Sequence, residues 1–272
     1  MPDDDIDRLD DQAFAQWLAG RAGEALTALR ASRGFAEPRA LKDAGDRASH
    51  ELMLAALTRY RPADAVLSEE QTDSRRDFSS GDRPARLDAD RVWIIDPLDG
   101  TREFSEEGRT DWAVHVALWE RSAGPEGGLT AGAVGMPART GADDGPLVLG
   151  TSEPTAAAAD GPLRIAVSRS RPPAFVPELI ERLGAEAVPM GSAGVKVCAV
   201  VTGQADGYVH AGGQYEWDSA APVAVALGAG MHASRIDGSP LRYNAANPRL
   251  PDLLVCRPEH AEQLLKAIEG CR

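Results

Sequence analysis

Two aspartates, Asp96 and Asp99, are three residues apart and are the side chains best suited to do chemistry in this sequence. The Leu98 carbonyl lies between them, and carboxylate and carbonyl oxygens on one turn suit a hard cation such as Mg²⁺. Gly100 allows close backbone approach, and Thr101 offers a hydroxyl beside N–H groups suited to an anion. The segment therefore predicts a place where a cation and an anionic group meet.

The same segment has two other interpretations. Asp-Pro-x-Asp-Gly is also ordinary turn chemistry, with Asp first, Pro second and Gly closing the turn. The loop of aspartyl-phosphate phosphatases also follows a buried strand, but its carboxylates are two residues apart. Here the spacing is three, with Pro97 directly after the first aspartate, which disfavours that loop. Further ligands elsewhere in the chain must decide between a plain turn and a metal site.

Three other acidic residues are candidates to join this turn. Glu69 follows a short strand, Asp218 lies at the start of an Ala-rich helix, and Asp46 precedes another helix. Each has an ordinary interpretation too, because strand ends are commonly solvated and aspartates commonly cap helices. If Glu69 and Asp218 lie beside Asp96 and Asp99, the like charges raise one another's pKa. Divalent cations, Mg²⁺ or Mn²⁺ rather than zinc, would resolve that conflict.

A Gly/Ser-rich turn further along the chain predicts an anion site. Residues 191–194 read Gly-Ser-Ala-Gly and lead into a helix that carries Lys196 in its first turn. Helix N-termini bind anions through free N–H groups, and a lysine there strengthens the attraction. A plain turn of small residues is the alternative. A histidine in an apolar strand, such as His115, is more often a packed core residue than a ligand.

The elements that would position these residues follow from apolar periodicity. Apolar residues at helical spacing predict a helix over Asp10–Ala31, with an aspartate near its N-cap, and a second helix over Arg47–Arg59 capped by Asp46. Val92–Ile95 is a buried strand that should stop at Asp-Pro. Gln71–Asp90 is polar and lacks an apolar period, which predicts a loop.

The chain divides into two predicted halves. Residues 150–161 are rich in Gly, Ala and Pro and mark the boundary, so we expect an α+β half over 1–155 and an α/β half over 156–272. Strands alternate with helices in the second half, which predicts a sheet covered on both faces.

Composition excludes several classes of function. The chain has 272 residues, 43% of them hydrophobic, and a net charge of −13 from 42 acidic and 29 basic residues. Nucleic-acid and anionic-membrane binding need clustered positive charge, so neither is expected. No segment approaches the ~20 apolar residues of a membrane span, and the acidic N-terminus is not expected to act as a signal peptide. Three cysteines without metal-binding spacing fit a reducing, cytoplasmic location.

The sequence resembles the inositol monophosphatase superfamily. Its signature is matched by residues 96–101, Asp-Pro-Leu-Asp-Gly-Thr, and its upstream glutamate motif by residues 68–70, Ser-Glu-Glu. Residues 216–222, Glu-Trp-Asp-Ser-Ala-Ala-Pro, match its downstream Trp-Asp motif. Three motifs in order span nearly the whole chain. The resemblance implies the αβαβα sandwich of inositol monophosphatases and fructose-1,6-bisphosphatases, an α/β layered fold, and Mg²⁺-dependent, lithium-sensitive phosphatase activity.

Details of the sequence are similar to one branch, the CysQ-type 3′(2′),5′-bisphosphate nucleotidases. Arg102-Glu103-Phe104 resembles the continuation of the signature in that branch, where inositol phosphatases usually have Thr-Asn-Phe. The segments around Ser168 and Ser192 also resemble nucleotidase segments near the substrate. This implies hydrolysis of the 3′-phosphate of 3′-phosphoadenosine 5′-phosphate (PAP) to AMP, in sulfur assimilation and nucleotide recycling.

The resemblance also implies roles for individual residues. Two or three Mg²⁺ ions, with Mn²⁺ as a possible substitute, would be held by Glu69, Asp96, Asp99, Asp218 and the Leu98 carbonyl. Glu69 would also be catalytic, together with Asp46 and Thr101. That ligand set also implies that Asp218 lies beside the substrate.

Asp46 and Thr101 would orient or deprotonate the attacking water. Asp46 matches the family's aspartate, although the sequence before it, Asp-Ala-Gly, departs from the family's Thr-x-Ala. The resemblance further implies substrate contacts, made by Gly100, Thr101, Arg102, Ser168, Ser192 and Lys196.

Two alternatives stay open from the sequence. The same chemistry could act on inositol-1-phosphate or fructose-1,6-bisphosphate, or the fold could serve as a non-catalytic cation- or nucleotide-binding regulator. The expected partner is a small phosphorylated molecule, PAP, its phosphosulfate analogue PAPS, or a sugar phosphate, and neither nucleic acid nor membrane. We expect a monomer or homodimer.

Overall fold

Helices and strands alternate along this computed structural model, which describes residues 3–70, 84–141, 145–154, 156 and 161–271. The helices are α1 (Asp3–Ile6), α2 (Asp11–Arg33), α3 (Pro38–Tyr60), α4 (Thr101–Phe104), α5 (Val176–Leu183), α6 (Ala193–Val201), α7 (Glu216–Gly228) and α8 (Ala261–Glu269). The strands are β1 (Ala65–Ser68), β2 (Arg91–Asp99), β3 (Ala113–Glu120), β4 (Gly128–Thr140), β5 (Pro146–Gly150), β6 (Arg164–Ser168), β7 (Glu186–Met190), β8 (Gly207–Tyr215), β9 (His232–Ser234) and β10 (Arg249–Cys256).

The strands form two five-stranded mixed sheets. The first has the order β1-β2-β3-β4-β5, in which β1 and β2 are parallel and the remaining pairs antiparallel. The second has the order β7-β6-β8-β10-β9, with a parallel half and an antiparallel half. The chain passes from the first sheet to the second between Gly150 and Arg164.

Five layers result from the packing of helices on these sheets. Helices α2 and α3 cover one face of the first sheet, α6 and α7 lie between the sheets, and α5 and α8 cover the outer face of the second. Strand β3 is buried along seven of its eight residues, as expected for a strand with a helix layer on each face. The predicted αβαβα sandwich is confirmed.

The predicted division into halves at residue 155 stays a prediction, because the central layer belongs to both sheets. Helices α6 and α7 share one apolar core with strands of the first and second sheets. None of the described helices is long and apolar enough to cross a membrane.

Several predicted boundaries are correct and others are wrong. Asp10 caps α2 by accepting the Ala13 N–H at 2.7 Å, as predicted. The second helix begins at Pro38 rather than Arg47, so Asp46 lies inside it and is not its N-cap. Proline suits the first turn of a helix because its missing N–H is not needed there.

Strand β2 also differs from the prediction. It continues through Pro97 to Asp99 with a shift in its pairing to β3, instead of stopping at Asp96. Of the predicted loop over 71–90, residues 71–83 lie outside the described part of the chain, and Ala85–Asp88 forms a 3-10 turn. The three-residue strand β9 was not predicted because it is too short to show a period.

Candidate active site

Three of the predicted carboxylates meet at one point between the two sheets. Asp96 and Asp99 lie at the end of β2, and Asp218 lies in the first turn of α7. Each offers one oxygen to a group whose members all lie within 4.8 Å of one another. Such an oxygen-only cluster could hold a divalent cation.

The turn between the two aspartates is built by backbone constraints. Pro97 has no N–H to donate, and Asp96 Oδ1 accepts the Leu98 N–H at 3.0 Å. Gly100 then adopts φ +84°, and a Cβ there would come within 3.2 Å of the Asp111 carbonyl. The interpretation as a turn was therefore correct, and the turn also brings two carboxylates to the cluster.

Helix α3 positions this turn from behind. The Ser49 hydroxyl is fully buried and donates to the Pro97 carbonyl at 2.7 Å. One turn earlier, Gly45 lies against Leu98 and Phe104, where a Cβ would come within 3.0 Å of Leu98 Cδ2 and 2.8 Å of the Phe104 ring. The close approach requires glycine in the middle of the helix.

Asp46 and Glu69 lie on the elements around this turn. Asp46 follows Gly45 on α3, and Glu69 follows β1, whose pairing with β2 places Ser68 beside Ile95. This parallel pairing brings the end of β1 beside the end of β2. Glu69 lines the same pocket as the carboxylate cluster. Its role as a metal ligand and the role of Asp46 toward water stay predictions.

The electrostatics of the cluster are those of a cation site. Burial raises the pKa of Asp96 well above its ordinary value, and the charges of Glu69, Asp99 and Asp218 raise it further. Burial and the charge of Asp99 raise the pKa of Asp218 to about 6, although the Tyr215 N–H and nearby cationic groups oppose this. A bound divalent cation would remove the repulsion.

Asp99 is the exception, because the second half of the chain stabilises its charge. Its Oδ2 accepts the Ser192 hydroxyl at 2.6 Å and the Gly194 N–H at 2.9 Å. His115 Nε2 lies 3.3 Å away. Burial alone would raise the pKa of Asp99, but His115 first, and then Lys196 and Ser192, lower it to about 2.

The Gly/Ser-rich turn thus has an anion partner from within the protein. The sequence predicted an anion site at the N-terminus of α6, and the structure places the Asp99 carboxylate there. Asp218 likewise has two roles: it accepts the Tyr215 N–H at 2.6 Å as part of a helix cap while offering an oxygen to the cluster.

His115 lies against Asp99, a position that the sequence did not predict. It is fully buried, and its Nδ1 lies 3.0 Å from the Trp217 carbonyl. A Cβ at Gly194 would lie 2.1 Å from His115 Nε2, so only glycine fits against the ring. The histidine is a packed core residue, as predicted, but it also faces Asp99. A polar residue inside an otherwise apolar strand was the only signal in the sequence.

The cluster opens into a pocket of about 330 Å³. The described residues that line it include all of the predicted substrate contacts, namely Gly100, Thr101, Arg102, Ser168, Ser192, Lys196 and Asp218. The contacts that these residues would make with a substrate stay predictions.

Lys196 is buried beside the cluster and held by the backbone. Its Nζ donates to the Gly191 carbonyl at 3.0 Å and the Ser192 carbonyl at 2.6 Å. It also lies 5.2 Å from the centre of the Tyr208 ring. Burial lowers the pKa of Lys196, and the acidic neighbours, Asp99 first, oppose that effect.

The Arg-Glu-Phe segment after the signature has a structural role that the sequence did not reveal. Glu103 is buried and accepts Arg169 Nη2 at 2.7 Å, and Glu106 accepts the same nitrogen at 3.0 Å. Arg169 follows β6 directly, next to the pocket residue Ser168. The pair therefore ties α4 to the loop after β6.

The chain belongs to the inositol monophosphatase family, whose sequence pattern matches residues 12–272. Within that family it is similar to proteins named 3′-phosphoadenosine 5′-phosphate phosphatase. The relative from Mycobacterium leprae is 52% identical over 96% of this chain and 94% of its own length. The relative from Mycobacterium tuberculosis is 54% identical over 91% of this chain and 89% of its own length.

A solved structure agrees with this assignment. CysQ from Bacteroides thetaiotaomicron, a bacterial member of the same family, superposes with a TM-score of 0.68 at 25% identity. The match covers 89% of this chain and 95% of that protein.

Proposed function

We propose that this protein is a Mg²⁺-dependent phosphatase that hydrolyses the 3′-phosphate of PAP to AMP and phosphate. The observation that carries the proposal is the cluster of Asp96, Asp99 and Asp218 in a pocket that Lys196 also lines. The names of the two mycobacterial relatives support PAP as the substrate. They do not favour inositol-1-phosphate, fructose-1,6-bisphosphate or a non-catalytic regulator.

The donor set fits hard divalent cations. It consists of carboxylate oxygens, and within the described part of the chain no cysteine or histidine belongs to the cluster. We propose Asp96, Asp99, Asp218, Glu69 and the Leu98 carbonyl as ligands for two or three ions, with Mn²⁺ as a possible substitute. When bound, Mg²⁺ would lower the pKa of a water and neutralise charge on the phosphate.

The protein's own residues would supply binding and orientation. Thr101 lines the pocket at the start of α4, where its hydroxyl would orient the attacking water together with Asp46. The N–H groups of Gly100 and Thr101 would hold the phosphate that reacts. Lys196 would attract the second phosphate of the substrate. Holding the substrate and the water in a reactive orientation would raise the rate of hydrolysis.

The acidic protein surface also fits this function. A net charge of −13 repels a bisphosphate from most of the surface, so bound cations would make the pocket the favoured place for it. The described cysteines are all free, which supports a cytoplasmic location. We propose a monomer or homodimer, because this chemistry on a small molecule requires no larger assembly.

The test is phosphate release from purified protein across a panel of substrates. PAP, PAPS, inositol-1-phosphate and fructose-1,6-bisphosphate are compared by kcat/KM, with Mg²⁺, with a chelator and with added Li⁺. We expect Mg²⁺-dependent release with PAP preferred and inhibition by Li⁺. Equal kcat/KM values for all substrates would refute the nucleotidase assignment, and no release from any of them would support a regulator.

A further inference from the structure

A row of polar side chains from the second sheet lines the pocket beside the carboxylate cluster. Tyr208, His210 and Gln214 belong to β8, and all three line the pocket together with Lys196. Tyr208 and His210 are two residues apart and share one face of the strand, with ring centres 6.4 Å apart. Val209 between them packs into the core on the opposite face. The strand therefore presents these polar groups to the pocket.

Two buried atoms in this row have no hydrogen-bond partner within the described residues. They are His210 Nε2 and Gln214 Oε1. Gln214 Nε2 lies 3.1 Å from the Tyr208 hydroxyl, which orients the amide so that its oxygen is free. An unpartnered buried polar atom is unfavourable, and native structures contain few of them. Two such atoms lining one pocket indicate that a ligand supplies the missing partner.

Both groups are uncharged at neutral pH. Burial, with Lys196 and Arg171 nearby, lowers the pKa of His210 to about 4, and Asp252 opposes this only in part. A neutral imidazole has one donor and one acceptor nitrogen, and the Gln214 oxygen is a neutral acceptor. Groups of this kind recognise a neutral polar group, whereas the cations of the site would recognise phosphate.

We propose that His210 and Gln214 form a specificity site for the uncharged nucleoside portion of the substrate. The inference rests on the proposed function and adds to it a part of the substrate that the metal site does not recognise. The required partner both donates and accepts hydrogen bonds. A ribose hydroxyl has this chemistry, and so does the purine edge, where an amino group adjoins a ring nitrogen.

The test replaces the histidine by an apolar side chain of similar shape. His210→Phe removes no protein hydrogen bond of Nε2, so the melting temperature should stay unchanged or rise. For PAP, kcat/KM should fall about 10- to 100-fold, mainly through KM, as expected for one lost hydrogen bond to substrate. His210→Leu, which is smaller, is measured alongside in case the phenyl ring does not fit.

Two analogues identify the partner group. 2′-Deoxyadenosine 3′,5′-bisphosphate lacks the sugar hydroxyl, and inosine 3′,5′-bisphosphate reverses the donor and acceptor of the purine edge. For the analogue that lacks the partner, wild type and variant should differ by less than about threefold, because the hydrogen bond is already absent. The matched control is His232→Phe, since His232 Nε2 lies 2.9 Å from the Ser234 hydroxyl outside the pocket. It should lower stability and leave kcat/KM unchanged.

The wild-type protein is assayed first, so that the two proposals can fail separately. Absence of PAP hydrolysis by the wild type refutes the proposed function. An active wild type overturns the His210 assignment if the two variants retain full activity, or if they lose the same factor on PAP and both analogues. A fall in melting temperature that accompanies the loss of activity in both variants would also overturn it, because that outcome marks a structural role.

Discussion

Ser49→Ala is the change that most directly tests how α3 supports the metal site. The Ser49 hydroxyl is fully buried and donates to the Pro97 carbonyl, within the turn that carries Asp96 and Asp99. The substitution changes no charge, so the variant tests only the position of the turn. The substitution removes one hydroxyl and should leave the helix itself intact, because alanine is a good helix former.

Two magnitudes follow from this geometry. Loss of a buried donor should cost about 1–3 kcal/mol of folding free energy. For a domain of this size that corresponds to a fall in melting temperature of roughly 2–10 °C. A supporting hydrogen bond behind metal ligands typically contributes 10- to 100-fold in metal affinity, so half-saturation by Mg²⁺ should require about 10- to 100-fold more metal.

The assay measures thermal unfolding in chelator and PAP hydrolysis against Mg²⁺ concentration. Ser32→Ala is the matched control, because the Ser32 hydroxyl also donates to a backbone carbonyl, that of Leu29, but is exposed. The control should change stability by no more than about 0.5 kcal/mol. The proposed role of Ser49 is refuted if Ser49→Ala has the melting temperature of the control and reaches half-saturation at the wild-type Mg²⁺ concentration. A lower melting temperature with unchanged saturation would leave the bond a purely structural role.

Three further predictions concern the cluster and its surroundings. Asp99→Asn should reduce kcat/KM at least about 100-fold with an unchanged near-UV circular dichroism spectrum, since it removes one charged ligand; near-full Mg²⁺-dependent activity would contradict the metal assignment. Glu103→Gln should raise KM for PAP several-fold and cost about 1–3 kcal/mol, because it weakens the bond to Arg169; an unchanged KM would show that the loop after β6 is held by other contacts. Metal-free stability should fall as pH rises through about 4 to 6, because the raised pKa values of Asp96 and Asp218 mean that the folded state binds more protons than the unfolded state in that window. Stabilisation by Mg²⁺, measured as the shift in melting temperature, should therefore grow with pH, and a constant shift from pH 4.5 to 7.5 would contradict this.

Much of the fold could be predicted because local signals were strong. The helix α2 shows a clear apolar period after a capping aspartate, and the structure places its first residue directly after Asp10. The start of α3 was misjudged because Gly45 lowers helix propensity by about 1 kcal/mol relative to alanine. Its compensation is the close contact with Leu98 and Phe104, which is distant in sequence and invisible to local periodicity.

The candidate site divides in the same way. Asp96, Asp99 and Asp218 were identified from residue types and from positions at a strand end and a helix start, and the structure brings them together. The environment of each was not predictable. Burial and like charges raise the pKa of Asp96, whereas His115 first, and then Lys196 and Ser192, lower that of Asp99. The sequence does not distinguish the carboxylates from one another, because their pKa values depend on desolvation and therefore on packing.

The sequence by itself determined the chemistry of the turn over residues 96–101. It supplied two carboxylates, a proline that removes a donor and a glycine able to adopt positive φ, all within six residues. Only the tertiary structure decided what the turn meets. Helix α6 lies between the two sheets, so its Ser192 and Gly194 reach Asp99 across more than 90 residues of chain, and His115 completes the contact. These distances depend on how the layers pack, which local sequence does not encode.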